Sequence, residues 1–190
     1  RRPVVHADET GWREDGQGGY VWTFSSAEGS EAVRYFERDK SRAGRVVRRV
    51  LGLGFQGILS SDFYAAYNVY KGAHQRCWVH LLRALHELKE DHAGNESVLQ
   101  WGQEVRALYD DAQEAVRGPG GRTEQERERV YSGLVERVQK LALPYARDKQ
   151  HPCWALAKRL LRHQDELFQF VRVDGLPADN NLAERSLRPV

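Results

Sequence analysis

Up to about Val79, apolar residues come in short runs separated by turn residues. From Leu81 on they recur at helical spacing. The first run, Pro3-Val4-Val5-His6-Ala7-Asp8, is of strand type and carries Asp8 at or near its carboxyl end. Alternation puts Val4, His6 and Asp8 on one face and Val5, Ala7 and Glu9 on the other. Gly11 and Gly16-Gln17-Gly18-Gly19 mark turns, around which Trp12 and Tyr20 to Phe24 read as pairing strand material. Ala32 to Phe36 is a third strand, after a turn at Glu28-Gly29-Ser30. Three consecutive strands with short turns predict an antiparallel meander. Ser41 then caps a helix over 42–51 whose core face is Ala43, Val46, Val47, Val50 and Leu51. Gly52, Gly54 and Gly57 return the chain to a fourth strand, Ile58 to Asp62, which again ends in an aspartate. Ile58, Ser60 and Asp62 share a face. A helix from Phe63 to about Tyr70 and a strand from Gln75 to Val79 follow, and that order makes the fifth strand parallel to the fourth.

The remainder predicts helices. Leu81, Leu82, Leu85 and Leu88 form one stripe. Val98, Trp101, Val105, Leu108, Tyr109, Ala112 and Val116 form a second, broken at Gly118-Pro119-Gly120-Gly121. Thr123 with Glu126 is a capping box for a third helix, carrying Val130, Leu134, Val135, Val138 and Leu141 and ended by Pro144. The second and third make an antiparallel hairpin. A further amphipathic helix spans Trp154 to Val171, and Asp174-Gly175-Leu176-Pro177 turns into the final stretch.

Composition narrows this picture modestly. With 190 residues, 41% apolar, the chain is long enough for one globular domain with an insertion. A net charge of +2 has the sign that suits nucleic acid, but local clustering of arginine must carry that argument. Two cysteines are too few for a disulfide framework and fit a reducing compartment. No apolar run is long enough for a membrane span and no signal peptide is evident, so a cytoplasmic location is expected. The absence of Met and the start at Arg1-Arg2-Pro3 read as a fragment of a longer protein.

Candidate chemistry concentrates in Asp179-Asn180-Asn181-Leu182-Ala183-Glu184-Arg185-Ser186-Leu187-Arg188-Pro189. Turn residues and an N-cap precede helix formers. Asn181, Glu184, Arg185 and Arg188 fall on one helix face, with the leucines free to pack. Such a face is either a solvated surface with a Glu184–Arg188 pair, or one pointed at a metal ion and a phosphodiester. Arg42, Arg45, Arg48 and Arg49 pose a similar choice between a solvated basic face and a DNA-phosphate track.

The element order resembles that of the ribonuclease H-like fold, a mixed five-stranded sheet whose first three strands are antiparallel. In that fold the first and fourth strands are parallel neighbours, so Asp8 and Asp62 would lie side by side and a later helix would bring Glu184. Four blocks sharpen the resemblance: His6-Ala7-Asp8-Glu9-Thr10-Gly11-Trp12-Arg13, Ser61-Asp62-Phe63-Tyr64-Ala65-Ala66-Tyr67-Asn68, Arg76-Cys77-Trp78-Val79-His80-Leu81-Leu82-Arg83, and Asp179 to Pro189. In this order they resemble the catalytic domain of DDE transposases of the insertion-sequence 66 family. The resemblance implies a bacterial enzyme that hydrolyses phosphodiesters and transfers strands at transposon ends. Asp8, Asp62 and Glu184 would be both the catalytic triad and the metal ligands. Arg185, Arg188, Asn181, Arg42, Arg45, Arg49 and His80 would be DNA contacts. Two Mg²⁺ or Mn²⁺ ions are expected, because three carboxylates suit hard cations that keep several waters. The expected partners are transposon-end and target DNA, a further copy of the chain on that DNA, and accessory transposition proteins. A ribonuclease H-like nuclease without strand transfer and a catalytically silent DNA-binding remnant are the alternatives. The expected division is a core over 1–93, a helical hairpin insertion over 94–145, and closing helices over 146–190.

Some residues invite a second reading. Cys77-x-x-His80 as a zinc site needs two further ligands, His151 and Cys153 being the candidates, at a spacing that matches no zinc finger. Zinc is therefore not expected; Cys77 is read as a buried strand residue and His80 as a hydrogen-bonding group at the site edge. His6 is read as a packed core histidine, Glu9 as pointing away from Asp8 without a catalytic role. Trp12, Trp22, Trp78, Trp101 and Trp154 are read as core or half-buried aromatics, the alternative being an aromatic that stacks a flipped base at the transposon end.

Overall fold

Strand β1 runs from Val4 to Glu14, longer than the apolar run that announces it. It continues through Gly11, which pairs with Tyr20, and turns only at Asp15-Gly16 into β2, Gln17–Ser26. Both turn residues have positive φ, 49° and 77°, the left-handed pair that a two-residue hairpin requires. Gly11, Gly18 and Gly19 are thus ladder positions, not turns: hairpin register is set by the Asp-Gly pair. The computed structural model describes residues 3–26, 32–117 and 122–188. The turns expected at Glu28-Gly29-Ser30 and at Gly118-Pro119-Gly120-Gly121, together with Pro189, lie outside the described residues.

Strand β3, Val33–Asp39, completes the meander. β4, Ile58–Ser61, and β5, Ala73–Arg76, are parallel to one another, and β4 is parallel to β1. The sheet order is β3-β2-β1-β4-β5, the mixed five-stranded arrangement that the element order predicts. β5 stops at Arg76. Cys77 lies just past the strand and donates its N–H to Ser61 O at 2.9 Å, and Trp78 opens a helix instead of alternating along a strand.

The helix α1 spans Arg45–Leu51, with Gly44 and not Ser41 at its N-cap. Ser41 Oγ instead accepts the Ala43 N–H at 3.1 Å, a local turn that holds 41–44 out of the helix. A side chain at Gly44 would meet Ala66 O at 2.6 Å, so α1 approaches the next segment as only glycine permits. That segment is a short 3-10 helix, Ala65–Val69, where a longer helix over 63–70 was expected. Val46 and Val47 of α1, Ala66 and Tyr67 of the 3-10 helix, and Ala7, Trp22, Phe24 and Leu59 of the sheet form one buried apolar cluster.

The opposite face of the sheet is part polar. Val4, Val21 and Ile58 are buried on it, while toward its carboxyl edge its inward residues are His6, Thr23, Ser25 and Ser60, also buried. Over them lies the last helix, Asn181–Leu187 (α7 below). The described residues up to 77 and from 179 on form one compact unit around the sheet, and those between 78 and 178 form a second, helical unit. The two units part at 77/78 and 178/179. Periodicity located the hairpin, but the helices flanking it share a core with it.

In the helical unit α2 is Trp78–Asp91, α3 Glu96–Arg117, α4 Glu124–Ala146, α5 Trp154–Leu167 and α6 Gln169–Arg172. The capping box of Thr123 and Glu126 is formed at the start of α4. Trp101 donates to Leu141 O and Asp111 pairs with Arg137, so α3 and α4 run antiparallel. Pro144 sits inside the last turn of α4 and does not end it, while the helix expected over 154–171 is kinked at His163 and broken at Phe168. Trp78 is fully buried against Phe168 and Tyr109 and donates to Leu167 O at 2.6 Å. Among the described residues no helix is long and apolar enough to cross a membrane.

Candidate active site

Two strand ends and one helix define the site. His6 is opposite Ser60 in the β1–β4 ladder. Asp8 and Asp62 each follow two residues later, so parallel register carries both to the same edge of the sheet. Asp62 leaves β4 at once: its Oδ1 accepts the Tyr64 N–H at 2.9 Å. Asp8 Oδ1 accepts the Glu9 N–H at 3.0 Å.

The third carboxylate arrives on α7, Asn181–Leu187, which packs on β1 and β2. The leucines expected to pack, Leu182 and Leu187, are only half-buried; the buried positions are Ala183 and Ser186, small enough to let the helix lie close. Ser186 Oγ is 3.1 Å from Ser25 Oγ, which is 3.2 Å from Thr23 Oγ1. At the amino end, Asn180 is fully buried. Its Nδ2 donates to Ala7 O at 2.8 Å, its Oδ1 lies 3.2 Å from His6 Nδ1, and its own N–H reaches Cys77 Sγ at 3.2 Å. Ser60 Oγ donates to Asp179 O at 3.5 Å. Asn180 thus spends its side chain on the sheet and makes no cap bond to α7.

Like charges meet at this edge. Burial, then the Glu9 charge, then those of Asp62 and Glu184 push the Asp8 carboxyl up to about 7, against the opposing pull of the Glu9 N–H. Carboxylate oxygens are donors of the kind a hard divalent cation prefers, and a cation there would offset the repulsion between them. Thiol and imidazole are not needed for such a set.

Behind Asp8, on the apolar face, Glu9 is buried with its side chain 1% exposed. Arg42 donates to its Oε1 through Nε at 2.9 Å and Nη2 at 2.6 Å, and the Tyr67 hydroxyl donates to its Oε2. Glu9 therefore points away from Asp8, as alternation requires. Its carboxyl is raised, first by burial. Arg76 is a second buried charge at the site: its guanidinium donates to Ser61 Oγ, Asp62 O and Asn68 Oδ1.

The other sequence-designated residues divide. Arg185 and Arg188 are exposed on α7, and Asn181 is half-buried in its first turn with its N–H on Asp179 Oδ1. Arg45 is paired with Asp39, and Arg49 with both Glu37 and Asp39, across α1 and β3. Arg42 alone of that group reaches inward, to Glu9. His80 belongs to the first turn of α2, in the helical unit. His6 is 4% exposed and packed as expected.

Three residues escape sequence reading. Asn180 sits in a turn-rich stretch where a cap is the ordinary expectation. Tyr67 lies in a run of aromatics with nothing to distinguish it. Arg76 ends the short polar run Ala73 to Arg76, in which nothing local marks it for burial.

The mixed five-stranded α/β sheet, with two aspartates from parallel strands at one edge and a helix packed on it, defines an α/β protein of the kind that carries nuclease or transferase chemistry. The family description "Transposase IS66 family" matches residues 1–190, and the chain belongs to that family. No curated protein and no solved structure matches it.

Proposed function

We propose that this chain is a DDE transposase catalytic core with a ribonuclease H-like fold, cleaving and joining phosphodiesters at transposon ends with two Mg²⁺ or Mn²⁺ ions. The register that carries Asp8 and Asp62 to one edge, with the Glu184 helix packed on the strand that carries Asp8, is the observation on which this rests. Asp8, Asp62 and Glu184 hold the ions. When bound, such ions neutralise charge on the phosphoryl oxygens and make water or a 3′-hydroxyl nucleophilic at neutral pH. Arg185, Arg188 and Asn181 hold the DNA backbone beside Glu184, the guanidiniums suiting bidentate phosphate contact. Arg42 contributes from the other face. Arg45 and Arg49 reach phosphate only by leaving Asp39 and Glu37, and His80 belongs to a DNA surface of the helical unit. Partners are end and target DNA, a second copy of the chain, and accessory proteins, in the cytoplasm.

The test is incubation of a labelled transposon-end duplex and a target plasmid with Mg²⁺ or Mn²⁺. Wild-type protein is expected to free a 3′-hydroxyl and join it to the plasmid. Asp62→Ala is expected to do neither, and an Asp62→Ala protein that cleaves as well as wild type removes the proposal. Cleavage without joined product selects a nuclease instead.

A further inference from the structure

The two aspartates of the site are connected to each other by residues that hold no metal. Glu9 follows Asp8 on β1 and lies on the opposite face, where it takes two hydrogen bonds from Arg42 and one from the Tyr67 hydroxyl. Arg42 lies over the Tyr64 ring, 4.2 Å from its centroid, and Tyr64 Oη donates back to Arg42 O at 2.8 Å. Tyr64 in turn gives its N–H to Asp62 Oδ1 at 2.9 Å. Tyr67 packs edge-on to both Trp22 and Tyr64, so its hydroxyl is delivered from a rigid aromatic wall. The path Asp8–Glu9–Arg42–Tyr64–Asp62 is therefore continuous, and each link is a covalent neighbour, a hydrogen bond or a stacked pair.

We propose that Glu9, Arg42, Tyr64 and Tyr67 are positioning residues that set the spacing of Asp8 and Asp62 for metal binding. The proposal rests on reading those aspartates as metal ligands. Three physical points favour it over a merely stabilising pair. A buried carboxylate is costly unless it is fully hydrogen-bonded, and an apolar residue at position 9 would fill the same space more cheaply. Parallel pairing of β1 with β4 stops at His6–Ser60, so beyond it Asp8 is held by β2 and Ser61 by β5, not by one another. The link through Arg42 and Tyr64 spans the gap beyond the ladder. Finally, partners that orient metal-binding carboxylates hold a site to its coordination distances, and their loss typically costs about 10- to 100-fold in metal affinity or activity.

The experiment is Mn²⁺ binding to the purified protein without DNA, followed by electron paramagnetic resonance, so that any role of Arg42 on phosphate is absent. Glu9→Gln, Arg42→Gln, the double variant and Tyr64→Leu are compared with wild type, each checked for folding by circular dichroism. Glu9→Gln and Arg42→Gln are each expected to weaken Mn²⁺ binding about tenfold or more and to change the bound-ion spectrum. The double variant is expected to be no worse than the worse single, because both cut one link. Arg106→Gln, which removes the same charge from a surface pair in the helical unit, leaves binding unchanged. Folded single variants with wild-type affinity and spectrum overturn the proposal, even if their melting temperatures fall. Should Glu9→Gln not fold, Arg42→Gln and Tyr64→Leu carry the same decision. Wild-type protein that binds no Mn²⁺ overturns the metal-site reading and this inference with it, whereas wild-type binding with unaltered variants overturns this inference alone.

Discussion

Asn180 donates its side-chain amide to the carbonyl of Ala7 at 2.8 Å, and Ala7 is the residue before Asp8. One buried hydrogen bond thus ties the start of the Glu184 helix to the strand that carries the first aspartate. Because Asn180 Oδ1 also faces His6 Nδ1, both ends of the amide are used in fixing the start of α7 to the sheet. Ser186, nearly two turns on, repeats the attachment on β2 through Ser25.

Replacing Asn180 by Ala leaves Ala7 O and His6 without this partner inside the protein. Such losses cost about 1–3 kcal/mol per buried group. Urea unfolding is expected to show a loss of that order, and Asn180→Asp a larger one, since a carboxylate would then face the Ala7 carbonyl. An unchanged midpoint for Asn180→Ala would mean that α7 is held by Ser186 and Ala183 alone.

Asp8 predicts a pH dependence of stability. Its carboxyl is raised from 3.8 to about 7 in the folded protein, so between those values the folded state holds a proton that the unfolded state has lost. Stability then falls as pH rises through that window, and Glu9, shifted in the same direction, adds to the fall. Metal-free protein is expected to melt at lower temperature at about pH 8 than at about pH 5, with Asp8→Asn showing a flatter profile. Parallel profiles for the two proteins would be the contrary result.

Arg76 is a charge with no exposed surface, held by Ser61 Oγ, Asp62 O and Asn68 Oδ1. Arg76→Met is expected to destabilise the protein by about 1–3 kcal/mol or more. Arg76→Lys is expected to recover little, because an ammonium cannot reproduce the planar fork that spans Asp62 and Asn68. Thermal unfolding of the pair decides this; a lysine variant as stable as wild type speaks against the fork.

The arginines differ in what they must give up to bind phosphate. Arg185→Ala and Arg188→Ala are each expected to reduce the salt slope of DNA binding by about one. Arg45→Ala and Arg49→Ala are expected to change it less, since their guanidiniums are shared with Asp39 and Glu37. Fluorescence anisotropy across a salt series measures all four. Equal slopes for the two pairs would place α1 on the DNA as firmly as α7.

Local pattern determined a good deal of this protein. Alternation in Val4 to Glu9 assigned Asp8 and Glu9 to opposite faces, and strand–turn order predicted the mixed five-stranded sheet. The helical stripes and the Thr123–Glu126 box were likewise legible, because each depends on residues within one or two turns of one another. Errors fell where a local signal had a tertiary competitor. Ser41 looked like a cap but closed a turn, Gly11 looked like a turn but sat in a ladder set by Asp15-Gly16, and Leu182 and Leu187 yielded the packing face to Ala183 and Ser186. What only the tertiary structure decided is which polar residues are buried together: Asn180 with Ala7 and His6, Arg76 with Asp62, Glu9 with Arg42 and Tyr67. Those partners lie far apart in the chain. A buried polar group is stable only when its hydrogen bonds are met, and no sequence window contains the residues that meet them.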